Sequence, residues 1–373
     1  MFTDEFILDE SIIYLNHAAV SPWPRRTADA VMSFARENAS VGARNYSTWV
    51  ETEHALKAQL CHLINATSVN EIALLKNTSE ALSVVAYGLT WMPGDNVVIT
   101  DQEFPSNRIV WESLAKFGVE TRAAGLCEES SPEAAIISRI DTHTRLVSVS
   151  SVQYVTGLRL DLDKIGAACR EHGVLFCVDA IQSLGAVGID VQSCGADYVM
   201  ADAHKWLMGP EGIALFYCRA EAMDRLELQQ YGWHMVEEMG NYDNPAWCLA
   251  VTARRFECGS PNMTGIHALN ASLSLIHEIG MQAIETRVTE NSRYLLDYFS
   301  ARRDKFQLIT PEGDHRYAGI VTFRPLHETT EELHERLRKK NVICAPRGGG
   351  IRFSPHFYTP REQLDRALQL LQS

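Results

Sequence analysis

Short apolar runs alternate with amphipathic segments over about residues 70–218 of this chain. The amphipathic segments, for example 78–89, 107–117 and 161–172, repeat their apolar positions at helical spacing. Short β-rich runs between amphipathic helices are typical of βαβ units, so the pattern predicts an α/β fold with a mostly parallel central sheet. The predicted strands of this sheet cover residues 97–100, 146–150, 175–178, 198–200 and 212–217.

The pattern changes after about residue 265. A long helical stretch over 266–300 is followed by a strand–helix–strand–helix set that ends with a helix over 361–371. This arrangement predicts a smaller α+β domain at the C-terminal end. The sequence is therefore divided into an N-terminal segment and two domains, with boundaries at 1–20, 21–260 and 261–373.

Composition narrows the possible partners and the compartment. With 34 basic and 47 acidic side chains the formal charge is −13, which argues against nucleic acid or an anionic membrane as the main partner. No apolar run approaches the roughly 20 residues that span a bilayer, and the first residues lack the pattern of a signal peptide. The 9 scattered cysteines include no CxxC pair, which disfavours a metal site and favours reduced thiols in the cytoplasm.

A lysine follows one predicted strand within the string ADAHKW at residues 201–206. Flanking aromatic and small residues can remove Lys205 from water, which lowers its pKa and frees the amine for Schiff-base chemistry. A surface lysine after a strand is the alternative interpretation.

An aspartate ends another predicted strand, within the string FCVDAIQS at residues 176–183. Ligands of α/β sheets collect at the carboxyl ends of strands, and pyridoxal phosphate needs an acidic partner for its ring nitrogen. Asp179 precedes Lys205 by 26 residues (205 − 179), a spacing that suits neighbouring strand ends joined by a crossover. Asp179 could instead be a helix N-cap.

A third string, KNTSEAL at residues 76–82, precedes a predicted helix. Thr78 or Ser79 could cap that helix, whose free N–H groups could bind a phosphate. A capping box without a ligand gives the same pattern.

Together and in this order, these strings resemble the class V aminotransferase family of pyridoxal-phosphate enzymes. That family includes cysteine desulfurases, selenocysteine lyases and isopenicillin-N-epimerase-like proteins. The resemblance implies an aspartate-aminotransferase-like (fold type I) large domain, pyridoxal 5′-phosphate as cofactor, an amino-acid substrate and a homodimer with shared active sites. The strings that carry it are YLNHAA (14–19), NTSE (77–80), VDAIQ (178–182), HKW (204–206), GSPN (259–262) and IRFSPHFY (351–358).

The resemblance also implies roles for the residues that hold the cofactor. Lys205 would form the Schiff base and move the proton at the substrate α-carbon, while Asp179 would pair with the ring nitrogen. Gln182 would donate to the phenolic oxygen of the cofactor. Thr78 and Ser79 would hold the phosphate, with His204 nearby.

Further residues are implied around the ring and the substrate. Phe104, in the string EFPSN at 103–107, stands where many relatives carry a histidine stacked on the ring. Thr264 would reach the phosphate of the partner subunit. Arg352 would bind the substrate carboxylate, a task that suits a guanidinium, and Asn16 is assigned to the substrate as well. No metal is expected.

The chain departs from the family pattern in three places. Cysteine desulfurases carry a nucleophilic cysteine shortly before the carboxylate-binding arginine, whereas residues 347–352 read RGGGIR, and Cys344 upstream is expected to be a packed thiol. Asp202 stands where desulfurases place a phosphate-binding serine or threonine. Ser151 stands in for an asparagine of the family.

These departures favour a carbon–sulfur lyase that works without a persulfide cysteine loop. An aminotransferase, an amino-acid epimerase and a catalytically degenerate family member remain as alternatives. The aromatic strings YGWH (231–234) and NYDN (241–244) could line the substrate pocket, or could form surface or dimer contacts.

Overall fold

The structure of this chain is a computed structural model that describes residues 2–372. Strands make two sheets and a small additional pair. They are β1 (Ile13–Tyr14), β2 (Ile72–Leu75), β3 (Asn96–Thr100), β4 (Glu120–Ala124), β5 (Thr144–Ser150), β6 (Leu175–Asp179), β7 (Tyr198–Asp202), β8 (Ala214–Cys218), β9 (Phe306–Leu308), β10 (Val321–Pro325), β11 (Val342–Ile343), β12 (Ala345–Arg347) and β13 (Gly350–Phe353).

Helices cover both faces of the larger sheet and one face of the smaller one. They are α1 (Arg25–Val41), α2 (Tyr46–Leu63), α3 (Thr78–Gly88), α4 (Pro105–Glu112), α5 (Pro132–Ile137), α6 (Leu162–His172), α7 (Val191–Cys194), α8 (Ala220–Met223), α9 (Met263–Ile279), α10 (Met281–Ser300), α11 (Thr330–Lys339) and α12 (Arg361–Gln369). None of the helices in residues 2–372 combines the length and the apolar character that crossing a bilayer requires.

Local sequence explains where several helices begin and end. α6 begins after Asp161, whose side chain accepts a hydrogen bond from Lys164 N, and ends at Gly173 with φ +67°. The predicted continuous helical stretch over 266–300 is two helices, because Gly280 has φ +85° and stops α9. Glycine adopts this left-handed region at little steric cost, which residues with a Cβ rarely do.

The larger sheet has seven strands in the order β2-β8-β7-β6-β5-β3-β4. Neighbours among β7, β6, β5, β3 and β4 run parallel, while β8 is antiparallel to both β7 and β2. The predicted α/β class and mostly parallel sheet are thus confirmed. In a parallel sheet the carboxyl ends of the strands meet at one edge, so Ser150, Asp179 and Asp202 end their strands at the same edge.

The smaller sheet is antiparallel, in the order β12-β13-β10-β9, and packs on α10 through aromatic side chains. The rings of Phe299 and Phe323, for example, stack at 3.9 Å between centroids. This is the smaller C-terminal α+β region expected from the sequence.

The ends of the chain connect the two regions. Strand β1 pairs in parallel with β11, so the N-terminal segment joins the C-terminal part of the fold. Helix α9 lies against α1 and α2. The hydroxyl groups of Thr27 in α1 and Ser272 in α9 form a hydrogen bond of 2.7 Å. The domain boundaries at 20 and 260 stay predictions.

Candidate active site

A cavity of about 310 Å³ lies at the carboxyl edge of the larger sheet, beside β12 and β13. Its walls come from both regions of the fold and from the N-terminal segment. Eight side chains that the sequence singled out line it: Thr78, Ser79, Phe104, Asp179, Gln182, His204, Lys205 and Arg352.

Lys205 lies on the turn after β7 and is buried. Its Nζ atom lies 5.6 Å from the centroid of the Phe104 ring. Burial lowers the pKa of Lys205. The negative charge of Asp179 raises this pKa again, while the positive charge of Arg352 lowers it further. A lowered pKa makes the neutral, nucleophilic amine more accessible near neutral pH.

Asp179 ends β6 and is buried beneath the cavity. Its Oδ1 atom accepts a hydrogen bond of 3.0 Å from Ile181 N, a local turn contact that resembles the cap considered from the sequence. Burial raises the pKa of this carboxyl, and the Lys205 cation lowers it in turn. A buried carboxylate with such a pKa is a strong hydrogen-bond acceptor for a protonated ring nitrogen.

The first turn of α3 forms another wall. Asn77 is the N-cap, since its Oδ1 accepts a 2.8 Å bond from Glu80 N, so the expectation that Thr78 or Ser79 caps this helix is wrong. With the cap supplied by Asn77, the Thr78 hydroxyl is buried without a hydrogen-bond partner, and Ser79 Oγ lies 2.8 Å from Ser106 Oγ. The free Thr78 hydroxyl at the helix N-terminus suits a phosphate group.

The carboxylate of Asp202 lies close to the side chain of His204. Its Oδ1 atom accepts a bond of 3.1 Å from Ala203 N and lies 3.1 Å from Nδ1 of His204. The carboxylate that replaces the serine or threonine of desulfurases is therefore directed towards a neighbouring imidazole.

Gln182 connects three segments around the cavity. Its Nε2 donates to the carbonyl of Ala18 at 3.0 Å, and its Oε1 accepts from Trp206 Nε1 at 3.0 Å. The amide nitrogen carries a second hydrogen, which leaves one donor for a ligand. The pairing also fixes the indole next to Lys205.

Arg352 is the buried cation of β13, with only 2% of its surface exposed. Its Nη1 donates to the carbonyl of Tyr154 at 2.7 Å, while Nε has no hydrogen-bond partner. Burial lowers the pKa of this guanidinium, and the nearby cation of Arg347 lowers it further, although it stays charged at neutral pH. A buried cation with an unused donor beside a cavity calls for an anionic ligand.

Sequence reasoning missed four lining residues: Ser106, Tyr154, Glu211 and Arg347. Tyr154 packs edge-on against Phe104 at 5.1 Å between ring centroids. Ser106 and Arg347 lie within strings that the sequence had singled out, next to Phe104 and before the glycine turn. Their position within these strings is the sequence signal that could have identified them as lining residues.

Two predicted site residues do not line this cavity. Asn16 is half-buried, with Oδ1 buried and unpaired, and forms a bridge to Ser354. Thr264 is exposed on the first turn of α9. Their roles towards the substrate and the partner subunit stay predictions.

Ser151 and Cys344, which were singled out as departures from the family pattern, do not line the cavity. Ser151 Oγ bonds to Ser183 Oγ at 2.5 Å rather than facing the cavity. Cys344 is buried in the core of the C-terminal region, and burial raises the pKa of its thiol to about 12. A thiol in this state is unreactive at neutral pH, in agreement with the expected packed role.

The aromatic strings at 231–234 and 241–244 do not line the cavity of Lys205. They form a separate surface cavity of about 670 Å³. Within one chain these strings therefore do not reach the cavity of Lys205, and their role in a substrate pocket or in surface or dimer contacts stays a prediction.

The family described as aminotransferase class-V matches this chain over residues 13–366. The chain belongs to the class-V aminotransferase family. It is accordingly a pyridoxal-phosphate-dependent enzyme, as the strings around Lys205 and Asp179 had implied.

Named relatives of this class-V enzyme are mostly cysteine desulfurases. A "Probable cysteine desulfurase" of Methanothermobacter thermautotrophicus is 28% identical, over 94% of this chain and 92% of the relative. An "Uncharacterized aminotransferase YcbU" of Bacillus subtilis is 32% identical, over 87% of this chain and 84% of the relative.

Solved structures share the fold. The apo cysteine desulfurase of Thermococcus onnurineus superposes with a TM-score of 0.86 at 24% identity, over 97% of this chain and 94% of the other. The cystine C–S lyase C-DES, in complex with its product cysteine persulfide, gives 0.89 at 21% identity over 97% of both chains. The likeness confirms the fold type I architecture.

The cavity fits pyridoxal phosphate. The unpartnered Thr78 hydroxyl and Ser79 would hold the phosphate, Asp179 the ring nitrogen, and Lys205 would attach covalently to the cofactor. When bound, the cofactor supplies an electron-withdrawing ring that stabilises negative charge at the substrate α-carbon. Phe104 adds an apolar ring beside the Lys205 amine.

Proposed function

We propose that this enzyme is a carbon–sulfur lyase that cleaves S-containing amino acids such as cysteine or its thioethers. The proposal is carried by one observation: the cavity brings Lys205, Asp179 and Arg352 together, and no cysteine is among its described lining residues. The relatives named cysteine desulfurases add support for sulfur-containing amino acids.

The chain's own residues have separate tasks in this reaction. Arg352 holds the substrate carboxylate, because its buried guanidinium has an unused Nε donor. Lys205 removes the proton from the α-carbon and can return a proton to the departing sulfur. Cleavage of the C–S bond then releases a thiol, and one water completes the balance to pyruvate and ammonia.

The sulfur leaves as a free thiol or sulfide in this proposal, since no protein thiol is in place to accept it. Strands β12 and β13 are joined by the two glycines Gly348 and Gly349, with φ +57° and +73°, in a tight turn. This short turn carries no cysteine, which supports release of the sulfur as a free thiol or sulfide.

Product analysis tests the proposal. The holoenzyme is incubated with L-cysteine, and pyruvate, ammonia and sulfide are measured, with mass spectrometry of the protein to detect any persulfide. We expect equal amounts of the three products and no added sulfur on the protein. Formation of a keto acid that retains its sulfur, dependent on an amino acceptor, would instead identify an aminotransferase. Loss of optical activity alone would identify an epimerase.

We also infer that the enzyme is a homodimer that uses the aromatic segment 231–251. Tyr242 is 75% exposed and Trp247 61% exposed, although both are large aromatic residues. Exposed apolar patches of this kind mark interaction surfaces. Pro261 and Met263, next to Thr264, share a second cavity with Trp233. Thr264 therefore lies on the same face, as a role towards a partner subunit requires.

A further inference from the structure

Two arginines share one face of the hairpin formed by β12 and β13. Arg352 is paired with Ala345 across the hairpin, and Arg347 is paired with Gly350. Paired residues of antiparallel strands point to the same face, as do residues two apart along a strand. Arg347 and Arg352 are therefore diagonal neighbours on that face, and both line the cavity of Lys205.

Arg347 has no anionic partner within residues 2–372. Its one recorded hydrogen bond is a 2.9 Å contact from Nη1 to the carbonyl of the preceding Pro346. Glu211 also lines the cavity, and no ion pair joins it to Arg347 within the described residues. Several other arginines of the fold do bond to carboxylates, for example Arg316 to Glu133. The Arg347 guanidinium is thus exposed towards the cavity with its donors largely unused.

The strand that carries Arg347 is held firmly. Arg324 donates from Nε to the carbonyl of Gly349 at 2.8 Å, and Thr330 Oγ1 donates to the same carbonyl at 2.8 Å. Gly348 packs so closely on Val155 that an added Cβ would lie 2.2 Å from its Cγ1 atom. A fixed turn means that the two arginines keep their relative placement, which a specificity site requires.

The positive charges around the cavity favour the binding of a further anionic group. Arg347 is near enough to lower the pKa of both Arg352 and Lys205. Repulsion between cations beside one cavity is offset when an anionic group binds between them. Because the substrate carboxylate satisfies Arg352, the exposed guanidinium of Arg347 is left free to pair with a second anionic group.

We propose that Arg347 is a specificity residue that binds a second carboxylate, carried by the side chain of the substrate. The inference rests on the proposed lyase function and names its substrate class: S-substituted cysteines whose sulfur substituent ends in a carboxylate. The backbones of diagonal neighbours on antiparallel strands are about 7–8 Å apart, so the two arginines can reach two carboxylates that are separated by a short thioether chain.

Two nearly isosteric substrates test this class. S-carboxymethyl-L-cysteine carries the second carboxylate, and S-carbamoylmethyl-L-cysteine has a neutral amide in its place. Cleavage of either with one water gives pyruvate, ammonia and the corresponding thiol. We expect the holoenzyme to prefer the carboxymethyl substrate by about tenfold or more in kcat/KM, and increasing salt to reduce this ratio.

Three variants locate the source of the preference. Arg347→Gln is expected to bring the ratio close to one, while Arg347→Lys keeps part of it because the charge remains. Arg324→Gln is the matched control, since it removes an arginine from the same turn without removing one from the cavity. Loss of the ratio in Arg324→Gln as large as in Arg347→Gln would assign the effect to the turn and overturn the proposal.

A binding measurement separates failure of this inference from failure of the lyase proposal. Calorimetric Kd values for both analogues are measured on the cofactor-loaded Lys205→Ala protein, which lacks the base. Tighter binding of the carboxymethyl compound supports the second anion site if this difference is lost in a Lys205→Ala, Arg347→Gln double variant. This result would hold even if the products of the wild-type enzyme show transamination. Equal binding of both analogues, with cleavage intact, would overturn the role of Arg347 and leave the lyase proposal standing.

Discussion

At the scale of single residues, the site depends on a lysine and an arginine that the fold has removed from water. Burial keeps the pKa of Lys205 below the usual range, while the nearby carboxylate of Asp179 limits this shift. Arg352 is buried with an unused donor. Both residues are costly for stability unless a ligand is bound, which is typical of a functional site.

Replacement of Lys205 tests the central residue. Lys205→Ala is expected to abolish the visible absorbance of the lysine-bound cofactor and to lower turnover by at least ~10³-fold, because covalent attachment and the base are lost together. Absorbance spectra and pyruvate formation measure both effects. Lys57→Ala, which removes a buried lysine outside the cavity, is the control for lysine loss. Retention of the band in Lys205→Ala would contradict the assignment.

Replacement of Arg352 tests the carboxylate contact. Arg352→Lys is expected to raise KM for cysteine by roughly tenfold or more, since a lysine cannot make the bidentate contact of a guanidinium. Steady-state kinetics on the holoenzyme measure this change. An unchanged KM would place the substrate carboxylate elsewhere in the cavity.

At the scale of elements, the carboxyl ends of β3 and β5 are joined by one buried carboxylate. Glu103 accepts hydrogen bonds from Thr100, Asn107, Ser150 and Gln153, at distances of 2.5–3.4 Å. The strand end that carries Phe104 is thereby fixed relative to the end of β5. The same charge contributes, after burial, to the raised pKa of Asp179.

Glu103→Gln tests this network. The amide would direct its own N–H groups at donors, so the free energy of unfolding is expected to fall by about 2–3 kcal/mol. Removing the charge would also lower the pKa of Asp179. Urea unfolding of the apoprotein and pH titration of the cofactor absorbance measure the two effects separately. Thr100→Val, which removes a single donor to the carboxylate, is expected to cost only about 1 kcal/mol. Similar losses in both variants would contradict a network centred on Glu103.

At the scale of the whole molecule, the cavity exists because distant parts of the chain meet. The β6 and β7 ends supply Asp179 and Lys205, the C-terminal sheet supplies Arg352, and Ala18 adds a wall from the N-terminal segment. Gln182 joins two of these parts by bonding both Ala18 and Trp206. The cavity therefore lies between the two regions, a common place for enzyme sites.

The oligomeric state belongs to this scale. Replacing Tyr242 and Trp247 by serine is expected to shift the enzyme from dimer to monomer, because the double variant removes two of its largest exposed aromatic surfaces. Light scattering coupled to size exclusion measures the mass. Leu326→Ser, at another exposed apolar position, is the control and should leave the dimer intact. A wild-type mass equal to one chain would contradict the dimer.

The sequence by itself determined the fold class, the family and eight of the side chains that line the cavity. Short local strings carry this information: a lysine after one strand, an aspartate at the end of another, and hydroxyls at a helix start. Local patterns also placed five of the seven strands of the larger sheet, because buried strands are continuous apolar runs. Strands β2 and β4 were not predicted, and β4 is partly exposed and lacks such a run. The pattern missed the end of α9 at Gly280, since helical periodicity on both sides continues past the glycine.

Only the tertiary structure decided which charges face one another. The pairing of Asp202 with His204, the unused Nε of Arg352 and the shared face of Arg347 and Arg352 depend on strand register and on side-chain direction. None of these follows from residue type or spacing. Burial likewise separates the inert Cys344 from a reactive thiol, because desolvation is set by the surrounding chain and not by the residue itself.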